Sequence, residues 1–410
     1  MTKTWAVVFC VLAVSCISQP TVAEESDYAL VNGRLFNGVD NRIIDDATVF
    51  VVDGKIERIG SADDAIPSGF TIIDLEQNYL MPGLIDAHTH ILALDQARRA
   101  LVSGVTTVRT ASVPSYQDVA LRELVRNGKF SGPDVVAAGV YVTPKLGETV
   151  LADPRLSAIE GLVDTDEELQ LLVAINADRG VDVIKTRATE RAGLPDTDPR
   201  KQVYSERQLQ VIVDAAASHG LSVMAHAHGD EGARAAVLAG VRSIEHGTYL
   251  STETLRLMKE RGTWFVPTYV TMDEMNEEQY DHVLRLRGKY MVPQLERAIR
   301  EALELGVKIA TGADNYYDNQ SINRISVEVA EFVRMGMSNF DALQAATVGT
   351  ADLLHLSEST GQITAGYEAD MILVPANPLT NIEALLDVLL VMSNGRLSLQ
   401  RIPFGVTEEG

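Results

Sequence analysis

From residue 95 onward the chain repeats one phrase: an amphipathic stretch, a glycine, then a short β-branched run. Gly104, Gly180, Gly220, Gly240, Gly262 and Gly306 stand at the hinge. Glycine suits that place because helices commonly close on a residue at positive φ. Helix starts agree, since Thr165 with Glu168 and Ser205 with Gln208 form capping-box pairs. The runs after the glycines cover 105–108, 181–184, 221–224, 241–244, 263–266 and 307–310, and residues 83–85 and 135–138 add two more. Short, mostly apolar runs of this kind are strands covered by helices on both sides. Eight of them alternating with helices over about 270 residues predict a (β/α)8 TIM barrel spanning 80–363. A doubly wound sheet is the weaker alternative, because no Gly-rich phosphate loop follows the first strand.

The ends depart from this phrase. Residues 28–79 alternate in period two, with Asn32-Gly33 and Asp53-Gly54 as hairpin signals, and 370–374 and 388–392 also read as strands before Asn394-Gly395. The expectation is a small β-sandwich unit built from both termini, 24–79 plus 364–410. Residues 1–23 read as a signal peptide: Lys3, an apolar run over 5–17, then small residues at Thr21-Val22-Ala23. This predicts an exported protein, periplasmic or secreted, with no membrane span; a lipid anchor at Cys16 is the lesser alternative. Both cysteines, Cys10 and Cys16, lie in that segment, so the mature chain would use no thiol as a nucleophile or ligand. The formal charge of −22 opposes nucleic acid binding. A homo-oligomer stays open.

In such a barrel reacting groups sit at the carboxyl ends of the strands. Those positions carry Asp86-Ala87-His88-Thr89-His90, Lys185, His226-Ala227-His228, His246 and Asp314, and thus five of the eight histidines in the chain. His-x-His on an extended segment turns both imidazoles to one side. Two such pairs, a lone histidine and an aspartate suit a divalent metal, zinc above all. Lys185 would repel such a cation as an ammonium; as a carbamate formed with carbon dioxide it becomes an anionic ligand able to bridge two ions.

Met81-Pro82-Gly83-Leu84-Ile85-Asp86-Ala87-His88-Thr89-His90, Ala225-His226-Ala227-His228-Gly229, Ser243-Ile244-Glu245-His246-Gly247 and Thr311-Gly312-Ala313-Asp314 resemble the amidohydrolase superfamily. Within it the chain is most similar to imidazolonepropionase-like proteins that include metal-dependent Xaa-Pro dipeptidases. The resemblance implies that His88, His90 and Asp314 hold one zinc, that His226 and His246 hold a second, and that carboxylated Lys185 bridges them. Asp314 would also move the proton. Deaminase relatives carry glutamate where this chain has Gly229, which disfavours ring deamination. The charged 186–191 stretch replaces a Gly-rich one. For a substrate carboxylate the candidates are His228, Tyr249 and Arg187. The function expected is hydrolysis of an amide or peptide bond in a small molecule, an Xaa-Pro-type dipeptide or an N-acyl amino acid. A cyclic amide, lactam or ester is the alternative; an inert barrel that binds a small ligand or metal is the alternative from another class.

Overall fold

The computed structural model describes residues 27–402 apart from 160 and 319–323. The segment read as a signal peptide, with Cys16, lies outside the described residues. Strands β1 (Tyr28–Leu35), β2 (Ile44–Val52), β3 (Lys55–Ser61), β4 (Thr71–Asp74) and β5 (Tyr79–Pro82) open the fold. The barrel strands β6 (Leu84–Thr89), β7 (Val105–Thr110), β8 (Asp134–Val136), β9 (Val183–Arg187), β10 (Ser222–Ala227), β11 (Ser243–His246) and β12 (Trp264–Val266) follow, and β13 (Met371–Val374), β14 (Leu390–Ser393) and β15 (Arg396–Gln400) close it.

β6, β7 and β8 pair in parallel, as do β9, β10, β11 and β12. Backbone bonds join the two arcs. Asp182 donates to Ala137 O at 2.7 Å and Val142 to Lys185 O at 2.9 Å; on the other side Phe265 donates to Lys308 O at 2.8 Å and Ala87 to Thr311 O at 3.0 Å. The eighth staves of the (β/α)8 barrel are therefore the 307–311 segment, which is extended but makes only an isolated bridge, Ile309 with Phe265, instead of the regular strand expected. The strands also run up to four residues past the expected ends, so that His88, Lys185, Arg187 and His226 belong to them.

Both capping boxes form, on the helices Asp166–Asp178 and Glu206–Ser218. Gly240, Gly262 and Gly306 close helices at φ of 91°, 70° and 72°. Helix faces and outward strand faces share one core, with Leu169, Leu172, Ile212, Leu255, Leu295 and Phe332 fully buried.

Strands from both termini join one eight-stranded sheet in the order β15-β14-β13-β5-β1-β2-β3, with β4 beside β1. Leu30, Val49, Val51, Leu80, Met371, Leu373 and Met392 form its core. β5 straddles the expected border at 79/80 and continues almost directly into β6. Asp53-Gly54 and Asn394-Gly395 make the expected hairpin turns, with both residues of each at positive φ. Asn32-Gly33 does not: it lies inside β1, where Asn32 at φ 57° makes an irregularity in the pairing with β2. Asparagine tolerates that conformation in a bulge as readily as in a turn, so the dipeptide alone does not separate the two.

Candidate active site

The carboxyl ends of the strands surround a cavity of about 720 Å³ lined by His88, His90, Lys185, Arg187, His226, His228, His246 and Asp314, with Tyr141 and Arg191 on one wall. Parallel register explains part of this convergence. Met224 pairs with Lys185 and with Ser243, and His226 with Arg187 and Glu245, so one face of three neighbouring strands points into the barrel. His246 is out of step with that face. It turns inward because its φ is 72°, a left-handed backbone that ends β11. Asp314 (φ 46°) and Thr268 (φ 51°) share this conformation. Non-glycine residues seldom adopt it, and it is held where the surroundings over-determine it, as at a functional site.

The donors gather in two groups. His88, His90 and Asp314 form one and His226, His228 and His246 the other, with ligand atoms within 4.8 Å of each other in each group. Asp314 Oδ1 lies 3.1 Å from His90 Nε2 and 3.4 Å from His88 Nε2, and its other oxygen is 3.8 Å from His246 Nδ1. The remaining ring nitrogens are engaged. His88 donates to Glu245 Oε2 at 2.6 Å, His90 to Ser112 O at 2.9 Å and His226 to Glu190 O at 3.1 Å. An acceptor on one nitrogen fixes the tautomer that leaves the other with a free lone pair, the arrangement of a metal-binding imidazole. His246 Nδ1 meets Thr268 Oγ1 at 2.7 Å and His228 Nδ1 meets Thr248 Oγ1 at 2.8 Å.

Charge states follow from burial. Burial, reinforced by the nearby Lys185 ammonium, lowers His88 to about 4, and burial lowers His228 to about 3, so both are neutral near pH 7. Burial pushes Asp314 up, but the surrounding imidazoles outweigh it and hold the carboxyl well below its ordinary range. Lys185 is 2% exposed, its Nζ has no hydrogen-bond partner among the described residues, and burial lowers it to about 8. Its charge acts on His88 in one group and on His226, His228 and His246 in the other. A buried, unpartnered amine lines the same cavity as two clusters of imidazole and carboxylate, a donor set that fits a divalent metal.

Of the carboxylate-binding candidates, Arg187 lines the cavity, while His228 joins the second donor group. Tyr249 instead lines a separate groove with Arg200, Arg287 and Tyr290. A side chain at Gly229 would place its Cβ 2.4 Å from the Arg200 carbonyl oxygen, so the backbone leaves no room for one at this position. Sequence reasoning passed over Asp86, Glu245 and Thr268. Asp86 accepts from the amides of His88 and Ala313, each at 3.0 Å, and from the Tyr317 hydroxyl at 2.7 Å, which ties the two ends carrying His88 and Asp314 together. Its signal was present: an acid between apolar residues of a buried strand needs partners.

A model of the amidohydrolase family matches residues 79–398. The chain belongs to the amidohydrolase family. This amidohydrolase, a hydrolase acting on C–N bonds, is 28% identical over 419 residues to ochratoxinase of Aspergillus niger, covering 89% of this chain and 85% of that one. It is 25% identical to imidazolonepropionase of Kosmotoga olearia, covering 85% and 90%. Among solved structures, an Xaa-Pro dipeptidase with bound methionine in its active site superposes with TM-score 0.82 at 28% identity, covering 91% of this chain and 99% of that one. A prolidase complexed with N-methylphosphonate-L-proline gives 0.81 at 25% identity, covering 91% and 99%.

Proposed function

We propose that this amidohydrolase hydrolyses the amide bond of a small, carboxylate-bearing substrate, an Xaa-Pro-type dipeptide or an N-acyl amino acid, with two divalent ions, zinc by preference. His88, His90 and Asp314 would hold one ion, His226 and His246 the other, and Lys185 as a carbamate would bridge them. The observation that carries the reading is Lys185 Nζ, buried and without a partner beside both donor groups. Its lowered pKa leaves an appreciable fraction as the free amine, the form that adds to carbon dioxide. The bound ions supply Lewis acidity that polarises a carbonyl and acidifies water.

The chain's own residues do the rest. Asp314, ionised and open to the cavity, accepts a proton from the attacking water as its oxygen joins the carbonyl carbon. It returns that proton to the nitrogen as the C–N bond breaks, which yields a carboxylic acid and an amine. Arg187 orients the substrate carboxylate with a charge-assisted bond. His228 lies within the second donor group, where it can serve as a further ligand or donate to the substrate. The dipeptide class is favoured by the likeness to the dipeptidase and prolidase structures, and the filled space beside Gly229 argues against ring deamination. Export through residues 1–23 is part of the same proposal.

Metal analysis of the purified protein is expected to return about two ions per chain, and a panel of dipeptides and N-acyl amino acids to reveal turnover. Asp314→Asn should lower kcat by about 10²-fold or more with the fold unchanged by circular dichroism. A metal-loaded protein that cleaves no amide, or an Asp314→Asn variant with full activity, overturns the proposal. Lys185→Ala should lose metal together with rate.

A further inference from the structure

The hydrolytic chemistry uses the floor of the cavity and, on one wall, Arg187 alone; the other cations of that wall have no task. There three cations surround the ring of Tyr141: Lys185 Nζ at 5.7 Å, Arg187 Cζ at 4.8 Å and Arg191 Cζ at 5.8 Å from its centroid. Lys145 lines the same cavity. With Lys185 assigned to the metal site, Arg187, Arg191 and Lys145 remain, and among the described residues no carboxylate forms an ion pair with any of them. The only acid among the described residues lining the cavity is Asp314, which sits between imidazoles. Glu190, next to Arg191 in sequence, is bound to Lys201 Nζ at 2.9 Å and to the Asp198 amide at 2.9 Å. Arg187 Nε is shut off from solvent and has no hydrogen-bond partner among the described residues.

This gathering runs against the composition of the chain, in which 57 Asp and Glu outnumber 35 Lys and Arg. Like charges lining a concave wall with low dielectric behind them repel one another unless an anion enters between them. The cations are also graded in depth. Lys185 is buried, Arg187 half-buried and Arg191 exposed at the mouth. Lys185 and Arg187 lie two residues apart on β9 and so point to one side, roughly 6.6 Å from each other along the strand. An amide whose carbonyl rested on the floor would bring the carboxylate of its amine half within reach of Arg187. Arg191, farther out, answers to a second acidic group at the end of a short side chain.

We propose that the substrate carries two carboxylates: a dipeptide or N-acyl amino acid whose residue on the amine side of the scissile bond is glutamate or aspartate, with the α-carboxylate on Arg187 and the side-chain carboxylate on Arg191. Lys145 adds attraction at longer range. This rests on the amide hydrolase reading and, within that class, selects an acidic residue over the neutral ring of proline.

Two measurements test it. The first compares kcat/KM for the isosteric pair Ala-Glu and Ala-Gln in wild type, Arg191→Gln and Arg191→Lys. Wild type should prefer Ala-Glu by about tenfold or more, as one charge-assisted contact warrants. Arg191→Gln should remove most of that preference by slowing Ala-Glu alone, and Arg191→Lys should restore part of it. The second is a calorimetric titration of the same three proteins with glutarate and its monoamide, glutaramate, which needs no turnover. Glutarate should bind wild type about tenfold more tightly than glutaramate, and the gap should close in Arg191→Gln. No turnover of these dipeptides or of any amide in the wider panel by the metal-loaded protein, with the glutarate–glutaramate discrimination intact, rejects the hydrolase reading and keeps the anion wall. Turnover with Ala-Glu and Ala-Gln treated alike, and glutarate and glutaramate bound alike, rejects the wall and leaves the hydrolase reading standing. Arg191 is exposed, so its replacement does not threaten the fold.

Discussion

Glu245 makes no contact with the substrate space, yet three buried groups depend on its charge. Its carboxylate accepts from His88 Nδ1 at 2.6 Å, from Arg109 at 3.0 Å and from the Ser243 hydroxyl. Burial raises its pKa, but Arg109 and His88 outweigh burial and hold it at about 2, so it stays ionised. Arg109 is itself buried and spends its Nε on the Ala87 carbonyl at 2.7 Å. Glu245→Ala would leave a guanidinium buried without a counter-ion, a loss of about 3–5 kcal/mol. Thermal unfolding should show the loss, and Glu245→Gln, which keeps an acceptor for His88, should fold better while binding metal about 10–100-fold more weakly. An unchanged metal affinity in Glu245→Gln would show that His88 needs only the acceptor and not its charge. The candidate donors that gather in the cavity were legible at this scale because His-x-His and lone polar residues at strand ends stand out against apolar runs. Glu245 stood in the same quoted motif, but its partner Arg109 lies 136 positions away, and no local pattern announces that distance.

At the scale of elements, the 191–200 loop that carries Arg191 is pinned by a helix far along the chain. Arg287, on the helix His282–Leu305, donates to the carbonyl oxygens of Ala192 at 2.7 Å, Leu194 at 2.5 Å and Pro195 at 3.2 Å, and to that of Thr197. Four carbonyls on one guanidinium replace the regular pairing that the loop lacks. Arg287→Met should free the loop: amide exchange over 191–200 should quicken, and KM should rise about tenfold with kcat within about threefold, the pattern of lost ground-state binding. Equal loss in kcat would show that the clamp acts on the reacting groups instead. The helix starts offer a milder case. Thr165→Ala removes the hydroxyl that accepts from the Glu168 amide, and should cost about 1 kcal/mol by chemical denaturation with activity intact. Capping boxes and closing glycines were readable because their chemistry is confined to one helical turn. The eighth barrel segment was readable as an apolar run but not as an irregular one, since its partners on β12 and β6 decide its pairing. The inward turn of His246 likewise depends on a left-handed φ that histidine does not advertise.

The whole molecule joins its two units through a buried acid, Asp370, and a half-buried one, Asp134, at the end of the barrel opposite the active site. Asp134, the first residue of β8, accepts from the Asn394 side chain at 3.1 Å, and Asn394 belongs to the β14–β15 turn of the terminal sheet. Asp370, just before β13, accepts from the Asn394 amide at 2.9 Å and from the Thr360 hydroxyl at 2.7 Å. Burial, and then the neighbouring Asp134, raise Asp370 to about 7; burial also raises Asp134. Two carboxyls in one low-dielectric junction resist double ionisation. Because the folded-state value exceeds that of an unfolded aspartate, the native protein holds more protons between about pH 4 and pH 7. The junction's contribution to stability is therefore greatest at the acidic side of that window and is lost as pH rises through about 7. Asp370→Asn keeps the shape, an acceptor for Asn394 and no charge, so it should remove that loss. The Tm of the variant relative to wild type should rise by a few degrees between about pH 5 and about pH 8. A pH-independent difference would mean that Asp370 is ionised throughout, held by contacts stronger than its burial. At each pH the activity per folded molecule should match that of wild type, because the junction lies at the amino ends of the strands and the proposed reacting groups at their carboxyl ends.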